Sequence, residues 1–275
     1  MRNLKIVLSV LFVVMVTFLV VRGCVQKRRV FAPHRQEVLA PSRKKRIPVV
    51  PLEKTAQPRV AIILDDWGNN FPLFDQALAV GRPLTLSILP NLPHSKRIAE
   101  AAFSHGLGVM LHMPMQPENP KEKLEPQTIL TTSSEADIIR YLDEALLSIP
   151  HVEGANNHMG SAATRDKRVM GIFLTALKKR GLFFVDSNVV QDTQGVSIAK
   201  SMGIPFAKRE VFLDNEPDPA KIRKQLLRAK KLALSKGKVV VIGHDKKLTL
   251  EAIKEMVPEF EREGVRFVLV KELLE

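Results

Sequence analysis

Histidine and aspartate side chains follow several short, apolar, β-branched runs in this 275-residue sequence. An aspartate pair, Asp65 and Asp66, follows the first run, and His112, His158 and His244 follow later ones. Taken singly, such a carboxylate is usually a helix N-cap and such a histidine a hydrogen-bonded core residue. Four equivalent positions together are hard to explain as independent core residues. Nitrogen and carboxylate ligands without sulfur suit Zn²⁺, with Fe²⁺, Co²⁺, Ni²⁺ or Mn²⁺ as substitutes, so we predict a divalent metal site.

The aspartate pair predicts two roles, because adjacent residues of an extended chain point to opposite sides. One carboxylate can coordinate a cation while its neighbour contacts another part of the site. Asp186 and Ser187 end a further apolar run. A serine hydrolase would place Ser161 or Ser187 beside a histidine, but the G-x-S-x-G turn typical of many such enzymes does not occur in the sequence.

Three other residues near these positions have two interpretations each. Trp67 is either a platform on which a sugar ring stacks or a residue that packs a loop. Arg209 and Asp214 form either a charged pair close to the predicted site or part of an ordinary surface loop.

The elements that must position these residues alternate along the chain. Strand candidates lie at 60–64, 84–88, 108–111, 154–157, 182–185, 205–207, 238–242 and 266–270. Amphipathic helix candidates lie between them at 95–103, 135–148, 167–180, 219–235 and 250–263. This order predicts parallel strands with right-handed crossovers and catalytic groups at their carboxyl ends. We predict an irregular (β/α) barrel of seven to eight parallel strands. An open doubly wound sheet is the alternative, but no glycine-rich nucleotide-binding loop follows any strand.

The N-terminal part of the chain differs in composition from the rest. We interpret residues 1–25, apolar from 6 to 21, as a membrane anchor or signal segment, and 26–57 as a basic, proline-rich disordered tether. Residues 1–59 contain 13 Lys and Arg against two Glu, which leaves residues 60–275, nearly all of the domain predicted at 58–275, with a net charge of only +2. The basic surplus therefore lies beside the apolar segment and does not indicate a nucleic-acid partner.

Taken in order, the motifs resemble those of the divergent polysaccharide deacetylase family over essentially residues 58–275. They are Leu-Asp-Asp-Trp-Gly at 64–68, Leu-His-Met-Pro-Met at 111–115, Asn-His-Met-Gly-Ser at 157–161, Val-Asp-Ser at 185–187 and Ile-Gly-His at 242–244. The resemblance implies an irregular (β/α) barrel related to carbohydrate esterase-like deacetylases. It also implies Asp65 as base, Asp66 and His112 as metal ligands, and His244 as general acid.

One departure from the family pattern bears on the metal site. The relatives usually take two histidine ligands from one segment about four residues apart, but the residue four after His112 is Gln116. His158 is therefore the candidate for the missing ligand. Asp186 is expected to orient a histidine or a ligand, as carboxylates near metal sites commonly do.

The resulting hypothesis is a Zn²⁺-dependent hydrolase that removes acetyl groups from an envelope saccharide. It would be anchored to a membrane with its catalytic domain outside the cytoplasm. Two alternatives are an envelope glycan- or protein-binding domain without activity, and a metal-dependent phosphoesterase. The phosphoesterase is disfavoured because the sequence shows no cluster of Arg and Lys near the predicted site, which a phosphate would need.

Overall fold

A computed structural model describes residues 57–275, and nine strands and seven α-helices alternate along this part of the chain. The strands are β1 (Arg59–Trp67), β2 (Thr85–Ile88), β3 (Gly108–Met115), β4 (Gly154–Met159), β5 (Phe183–Asp186), β6 (Phe206–Lys208), β7 (Val211–Phe212), β8 (Lys238–His244) and β9 (Arg266–Val268). The helices are α1 (Phe74–Leu78), α2 (Ser95–Ser104), α3 (Glu135–Ser148), α4 (Lys167–Lys179), α5 (Gly195–Met202), α6 (Pro219–Lys236) and α7 (Lys247–Arg262).

All pairings between the strands are parallel. Eight strands follow one path in the order β6-β5-β4-β3-β2-β1-β8-β7, and β9 pairs with β1 off this path. Parallel neighbours require crossovers, which the helices provide. The carboxyl ends of the strands therefore meet at one edge, where the predicted site residues lie.

One extended segment, residues 206–213, joins the two edges of the sheet. Its first part pairs with β5, and its second part pairs with β8. Between them, the amide of Arg209 donates to the carbonyl of Asp186 (3.0 Å) and that of Glu210 donates to Val240 (2.9 Å). The curled sheet is therefore closed by a single stretch of backbone that changes partners at Arg209.

Alternate residues of β1 enter two different cores. Val60, Ile62 and Leu64 pack in the outer core, between the sheet and the helices. Ala61 and Ile63 belong to an inner core inside the barrel. This alternation follows from the period of two in a strand, and it explains why strands buried on both faces are continuously apolar.

Local sequence fixes the ends of several helices. The side chain of Ser134 caps α3 by accepting from the amide of Asp137, and Asp166 caps α4 by accepting from two amides. Asp218 caps α6 in front of a first-turn proline, and Gly237 ends that helix in the left-handed conformation with φ +81°. These are the residue types that helix termini favour.

The predicted irregular (β/α) barrel is confirmed. The elements that the pattern missed are short: β7 has two residues, α1 five and α5 eight. Segments of this length carry too few apolar repeats to reveal a period. The anchor predicted at 1–25 and the tether at 26–57, apart from Gln57, lie outside the described residues. Within 57–275, no helix is long and apolar enough to cross a membrane.

Candidate metal centre and active site

A β-bulge turns the aspartate pair toward one site. The register between β1 and β2 shifts between Leu64 and Trp67, and Asp66 has φ +67°. Regular strand geometry would send the two carboxylates to opposite sides, as the sequence led us to expect. Instead, Asp65 Oδ2 and Asp66 Oδ1 lie 3.7 and 3.2 Å from the same atom, Nε2 of His112. The expectation of divergent carboxylates was wrong because the bulge re-aims one of them.

Asp66, His112 and His158 bring three potential ligand atoms together. Asp66 Oδ1 lies 3.1 Å from Nδ1 of His158 and 3.2 Å from Nε2 of His112. The two ring nitrogens are 3.1 Å apart. His112 and His158 come from neighbouring strands, β3 and β4, whose register places His112 beside Asn156 and Pro114 beside His158.

This triangle fits a small tetrahedral ion. Zinc with ~2.0 Å bonds to nitrogen and oxygen holds its ligand atoms about 3.3 Å apart, close to the three separations in the structure. In addition, Asp66 Oδ1 is buried and makes no hydrogen bond within the described chain. A buried carboxylate oxygen without a donor is unfavourable, and a cation would satisfy it. The three residues predicted as ligands thus have the separations and the unsatisfied atom that a divalent ion requires.

Asn156 holds both a predicted metal ligand, His112, and the predicted base, Asp65. Its Oδ1 accepts a hydrogen bond from Nδ1–H of His112 (2.7 Å) and another from the hydroxyl of Ser87 (2.6 Å), while its Nδ2 donates to Asp65 Oδ1 (2.9 Å). The side chain has no solvent exposure. Because Nδ1 of His112 carries the proton, the lone pair at Nε2 is free for a metal. The sequence analysis assigned no role to this asparagine, although it lies at the register position opposite His112.

His244, beside Asp65 in the register of β1 and β8, is hydrogen-bonded to a second carboxylate. Its Nδ1–H donates to Asp214 Oδ1 (2.8 Å), and its Nε2 lies 3.7 Å from Asp66 Oδ2. Asp214 also accepts from the backbone amide of His244 (2.9 Å) and from the hydroxyl of Thr249 (2.6 Å). Asp214 is therefore neither a partner of Arg209 nor part of a solvated loop: it orients the imidazole and leaves Nε2 toward the site.

Asp186, predicted to orient a histidine or a ligand, makes other hydrogen bonds in the structure. Its carboxylate accepts from the amide of Asn188 (2.8 Å) and the hydroxyl of Thr193 (2.8 Å). Among the described residues, the carboxylate hydrogen-bonded to a site histidine is that of Asp214. Asp186 instead fixes the loop after β5, next to the site.

Gln116 and two serines are engaged elsewhere. Gln116 Oε1 accepts from the amide (2.7 Å) and hydroxyl (3.0 Å) of Thr131, so it braces a loop. The hydroxyl of Ser187 donates to the carbonyl of Asn157 (2.9 Å), and that of Ser161 accepts from the amide of Glu118 (2.8 Å). Both serine hydroxyls therefore contact backbone groups, which disfavours a serine nucleophile.

A cleft of about 380 Å³ opens beside these groups. Its lining includes side chains from the metal site and from the closing segment: Asp65, His112, His158, His244, Arg209 and Phe212. Trp67 is fully buried and packs edge-on against Phe74 at 6.3 Å between ring centres. Of its two interpretations, loop packing is the one that the structure supports.

Burial and neighbouring charges displace several pKa values at the site. Burial raises the pKa of Asp65, although the charge of His112 opposes this. For Asp66, burial also raises the pKa, but His112 and His158 outweigh it and hold the value well below its usual range.

The two histidines with displaced pKa values behave alike. Burial lowers the pKa of His112, yet the charges of Asp65 and Asp66 prevail and raise it to about 9. At His244, burial is again opposed by a carboxylate, and the hydrogen bond and charge of Asp214 leave the pKa above its ordinary value. The site thus combines a carboxylate, Asp65, and a histidine, His244, whose pKa values are both raised, a combination that suits acid–base catalysis.

Known proteins are similar to this chain in sequence and in fold. The chain is 35% identical over 199 residues, 72% of its length, to "Uncharacterized protein YibQ" of Escherichia coli (strain K12). That match spans 62% of the relative, less than two thirds of its length.

Among solved structures, the uncharacterized protein ATU2773 of Agrobacterium tumefaciens C58 is similar with a TM-score of 0.74 and 22% identity, over 81% of this chain and 92% of that one. A CE4 family pseudoenzyme from Bacillus anthracis shares the fold with a TM-score of 0.50 and 15% identity, over 80% of this chain and 66% of that one. The model of the divergent polysaccharide deacetylase family matches residues 62–274. The protein therefore belongs to the divergent polysaccharide deacetylase family.

Proposed function

We propose that this domain is a metal-dependent, preferably Zn²⁺-dependent, hydrolase that removes acetyl groups from a carbohydrate. The observation that carries the proposal is that a buried carboxylate and an oriented histidine both lie beside the ligand triangle. Asp65 Oδ2 lies 3.7 Å from Nε2 of His112, and Nε2 of His244 lies 3.7 Å from Asp66 Oδ2. Hydrolysis of an amide or ester needs one group that takes a proton and one that gives a proton near the reacting carbonyl.

Asp65 is the base of this proposal. It takes a proton from the water that attacks the acetyl carbon, and its raised pKa suits this step because a base works best with a pKa closer to the operating pH. Asn156 donates to Oδ1 of Asp65, which leaves Oδ2 free to receive the proton. Asp66, His112 and His158 would hold a divalent ion, which would supply a Lewis acid for the acetyl carbonyl and would lower the pKa of water.

His244 is the acid. Its pKa is raised by Asp214, so the ring stays protonated closer to neutral pH and donates from Nε2 to the leaving amine or alcohol. Water adds across the carbonyl, the bond from the acetyl carbon to the sugar nitrogen or oxygen breaks, and acetate leaves. The proton gained by Asp65 and the proton lost by His244 balance over one turnover.

The first experiment measures metal by elemental analysis on the full purified chain. We expect about one equivalent of Zn²⁺ or a similar ion. Asp66→Asn removes one carboxylate but keeps a residue type that tolerates the positive φ of this position. The matched control is Asp75→Asn, on the exposed surface of α1. Loss of metal in the first variant and retention in the second would support the ligand set.

The second measurement is acetate release from N- and O-acetylated oligosaccharides. We expect turnover that a chelator abolishes and added metal restores. Metal binding without turnover on any acetylated sugar would contradict the proposal and would instead favour a glycan-binding domain. No metal in the wild type, even after it is supplied, would contradict the ligand assignment itself.

We further propose that the reaction takes place on saccharides outside the cytoplasm, with the domain held at a membrane by residues 1–25. The uncharged run from 6 to 21 with basic residues on both sides supports the membrane segment. An envelope saccharide as the substrate favours a domain outside the cytoplasm. Membrane fractionation of the full chain, with protease accessibility from either side, tests this proposal. A cytoplasmic, unattached protein would overturn it.

A further inference from the structure

Arg209 places a positive charge in the cleft of the metal site. It lies where the closing segment passes from β5 to β8, and its side chain lines the same cleft as Asp65, His158 and His244. The proposed hydrolysis of an acetyl group assigns no role to this residue.

The guanidinium is held rigidly but is not neutralised. Nε donates to the carbonyl of Ser187 (2.6 Å) and Nη2 donates to that of Asn188 (2.7 Å), while the group lies 4.7 Å from the ring centre of Phe212. Carbonyl oxygens fix its plane without cancelling its charge. Among residues 57–275, no carboxylate lies within 4.0 Å of it, and Nη1 makes no hydrogen bond.

The surroundings favour an additional anion at this guanidinium. Burial lowers the pKa of Arg209, and the more distant charges of Asp65 and Asp186 oppose this effect only in part. Arg228 on α6 adds a second positive charge nearby. A half-buried cation of this kind is stabilised by a ligand that brings a negative charge and accepts hydrogen bonds.

We infer that Arg209 binds a carboxylate carried by the substrate, so that the enzyme acts on acetylated sugars with an acidic substituent. This inference rests on the proposed function and narrows its substrate class. A carboxylate matches the planar donors of a guanidinium. A phosphate dianion fits less well, because Asp65 and Asp66 already bring negative charge to the site and Arg209 is the only Lys or Arg among the lining residues of the cleft. Asn215 lines the same cleft and offers an amide as a second donor.

The test compares two acetylated sugars that differ only in an acidic lactyl ether. N-acetylmuramic acid carries a lactyl carboxylate that N-acetylglucosamine lacks. Binding of each to the full, Zn²⁺-loaded chain is measured by titration calorimetry or NMR. We expect the acidic sugar to bind at least about tenfold more tightly, as one charge-assisted hydrogen bond allows. In Arg209→Gln that preference disappears, and it remains in the control Arg262→Gln, at the exposed end of α7 and outside the cleft.

Several results would overturn the inference. One is equal affinity of the wild type for both sugars, which includes no binding of either at millimolar concentrations. Another is an Arg209→Gln variant whose affinity for both sugars falls by the same factor. That result is expected if Arg209 only supports the backbone at Ser187 and Asn188. A third, from a parallel titration with acetate, is an Arg209→Gln variant that binds acetate less tightly but binds both sugars as before. Arg209 would then hold the product acetate and not a carboxylate of the substrate.

These experiments distinguish a failure of the inferred carboxylate site from a failure of the proposed hydrolase function. A sugar preference that depends on Arg209 without any acetate release would leave the binding site standing and remove the reaction. Acetate release from both sugars at equal rates, with equal affinities, would keep the reaction and remove the inferred substrate class.

Discussion

Replacement of Asp214 by asparagine tests the acid assigned to His244. The carboxylate of Asp214 is 1% exposed and accepts three hydrogen bonds, one of them from Nδ1–H of His244. In Asp214→Asn one oxygen remains, and it can still serve the amide of His244 and the hydroxyl of Thr249. The amide NH₂ then faces Nδ1, which must become an acceptor. The imidazole therefore loses its ionic partner and is pushed toward its neutral form.

The size of the effect follows from the contact that is lost. A hydrogen bond to a charged group contributes about 1.5 to 3 kcal/mol, and one pKa unit corresponds to about 1.4 kcal/mol. We expect the pKa of His244 to fall in Asp214→Asn, because the protonated ring loses a stabilising contact of about this size. Because the acid must be protonated, the alkaline limb of the kcat profile should move to lower pH by the same amount.

Two measurements check this expectation. NMR titration of the His244 ring reports its pKa without any need for turnover, and the pH dependence of acetate release reports its role. Thr249→Val is the control, since it removes one hydrogen bond to Asp214 but leaves the pair with His244 intact. An unchanged ring pKa in Asp214→Asn would refute the electrostatic reasoning. A shifted ring pKa with an unmoved alkaline limb would refute the assignment of His244 as acid.

The same pair predicts a pH window for stability. The folded-state pKa of His244 is raised, so its contribution is complete below its unfolded value of 6.5 and is lost as the pH rises through the folded value. That of Asp214 is lowered, so its contribution is present above 3.8 and is lost as the pH falls through the folded value. The difference in unfolding free energy between wild type and Asp214→Asn should therefore be largest between about pH 4 and pH 6.5.

Three further predictions concern the metal site and the barrel. Because a metal needs the neutral ring of His112, whose pKa is about 9, apparent metal affinity should rise by up to about tenfold per pH unit toward pH 9 and then level off. Competition with a chelating dye measures this, and a flat profile would contradict it. Asn156→Ala leaves three buried groups unpaired and should lower the unfolding free energy by on the order of 3 kcal/mol or more, whereas the exposed Asn69→Ala should have little effect. Denaturant unfolding compares the two. A Cβ at Gly154 would lie 2.3 Å from an aromatic ring in β5, so Gly154→Ala should destabilise the barrel. Gly171→Ala meets nothing within 4 Å inside α4 and should stabilise it by up to about 1 kcal/mol. Thermal unfolding would contradict this reasoning if the two glycine variants changed Tm in the same direction.

The fold could be predicted from the sequence because its signal is repeated along the chain. The long strands β1, β3 and β8 are buried over most of their length and contain continuous apolar runs, and each long helix has an apolar stripe. Strand β8, with Val239, Val240 and Val241, is a clear example. The two-residue strand β7 shows the limit, since its place in the sheet depends on the closing segment and not on a local pattern.

The chemistry of the site was predicted less completely than its location. Residue type and position after a strand identified Asp66, His112 and His158, which do lie together. The roles of Asn156 and Asp214 depend on register between strands and on side-chain hydrogen bonds, which have no sequence period. The direction of the carboxylates of Asp65 and Asp66 depends on the bulge. The apolar residues around it do not predict a bulge.

The bulge in β1 also affects how related sequences should be compared. The backbone angle at Asp66 decides whether two neighbouring aspartates serve one centre or face apart. A relative that keeps both aspartates but pairs β1 with β2 in regular register would lose either its ligand or its base without any change in its motif. Such a protein would look intact in an alignment and yet be inert. Activity within this group is therefore better judged from the local register of the first strand than from the presence of the aspartate pair.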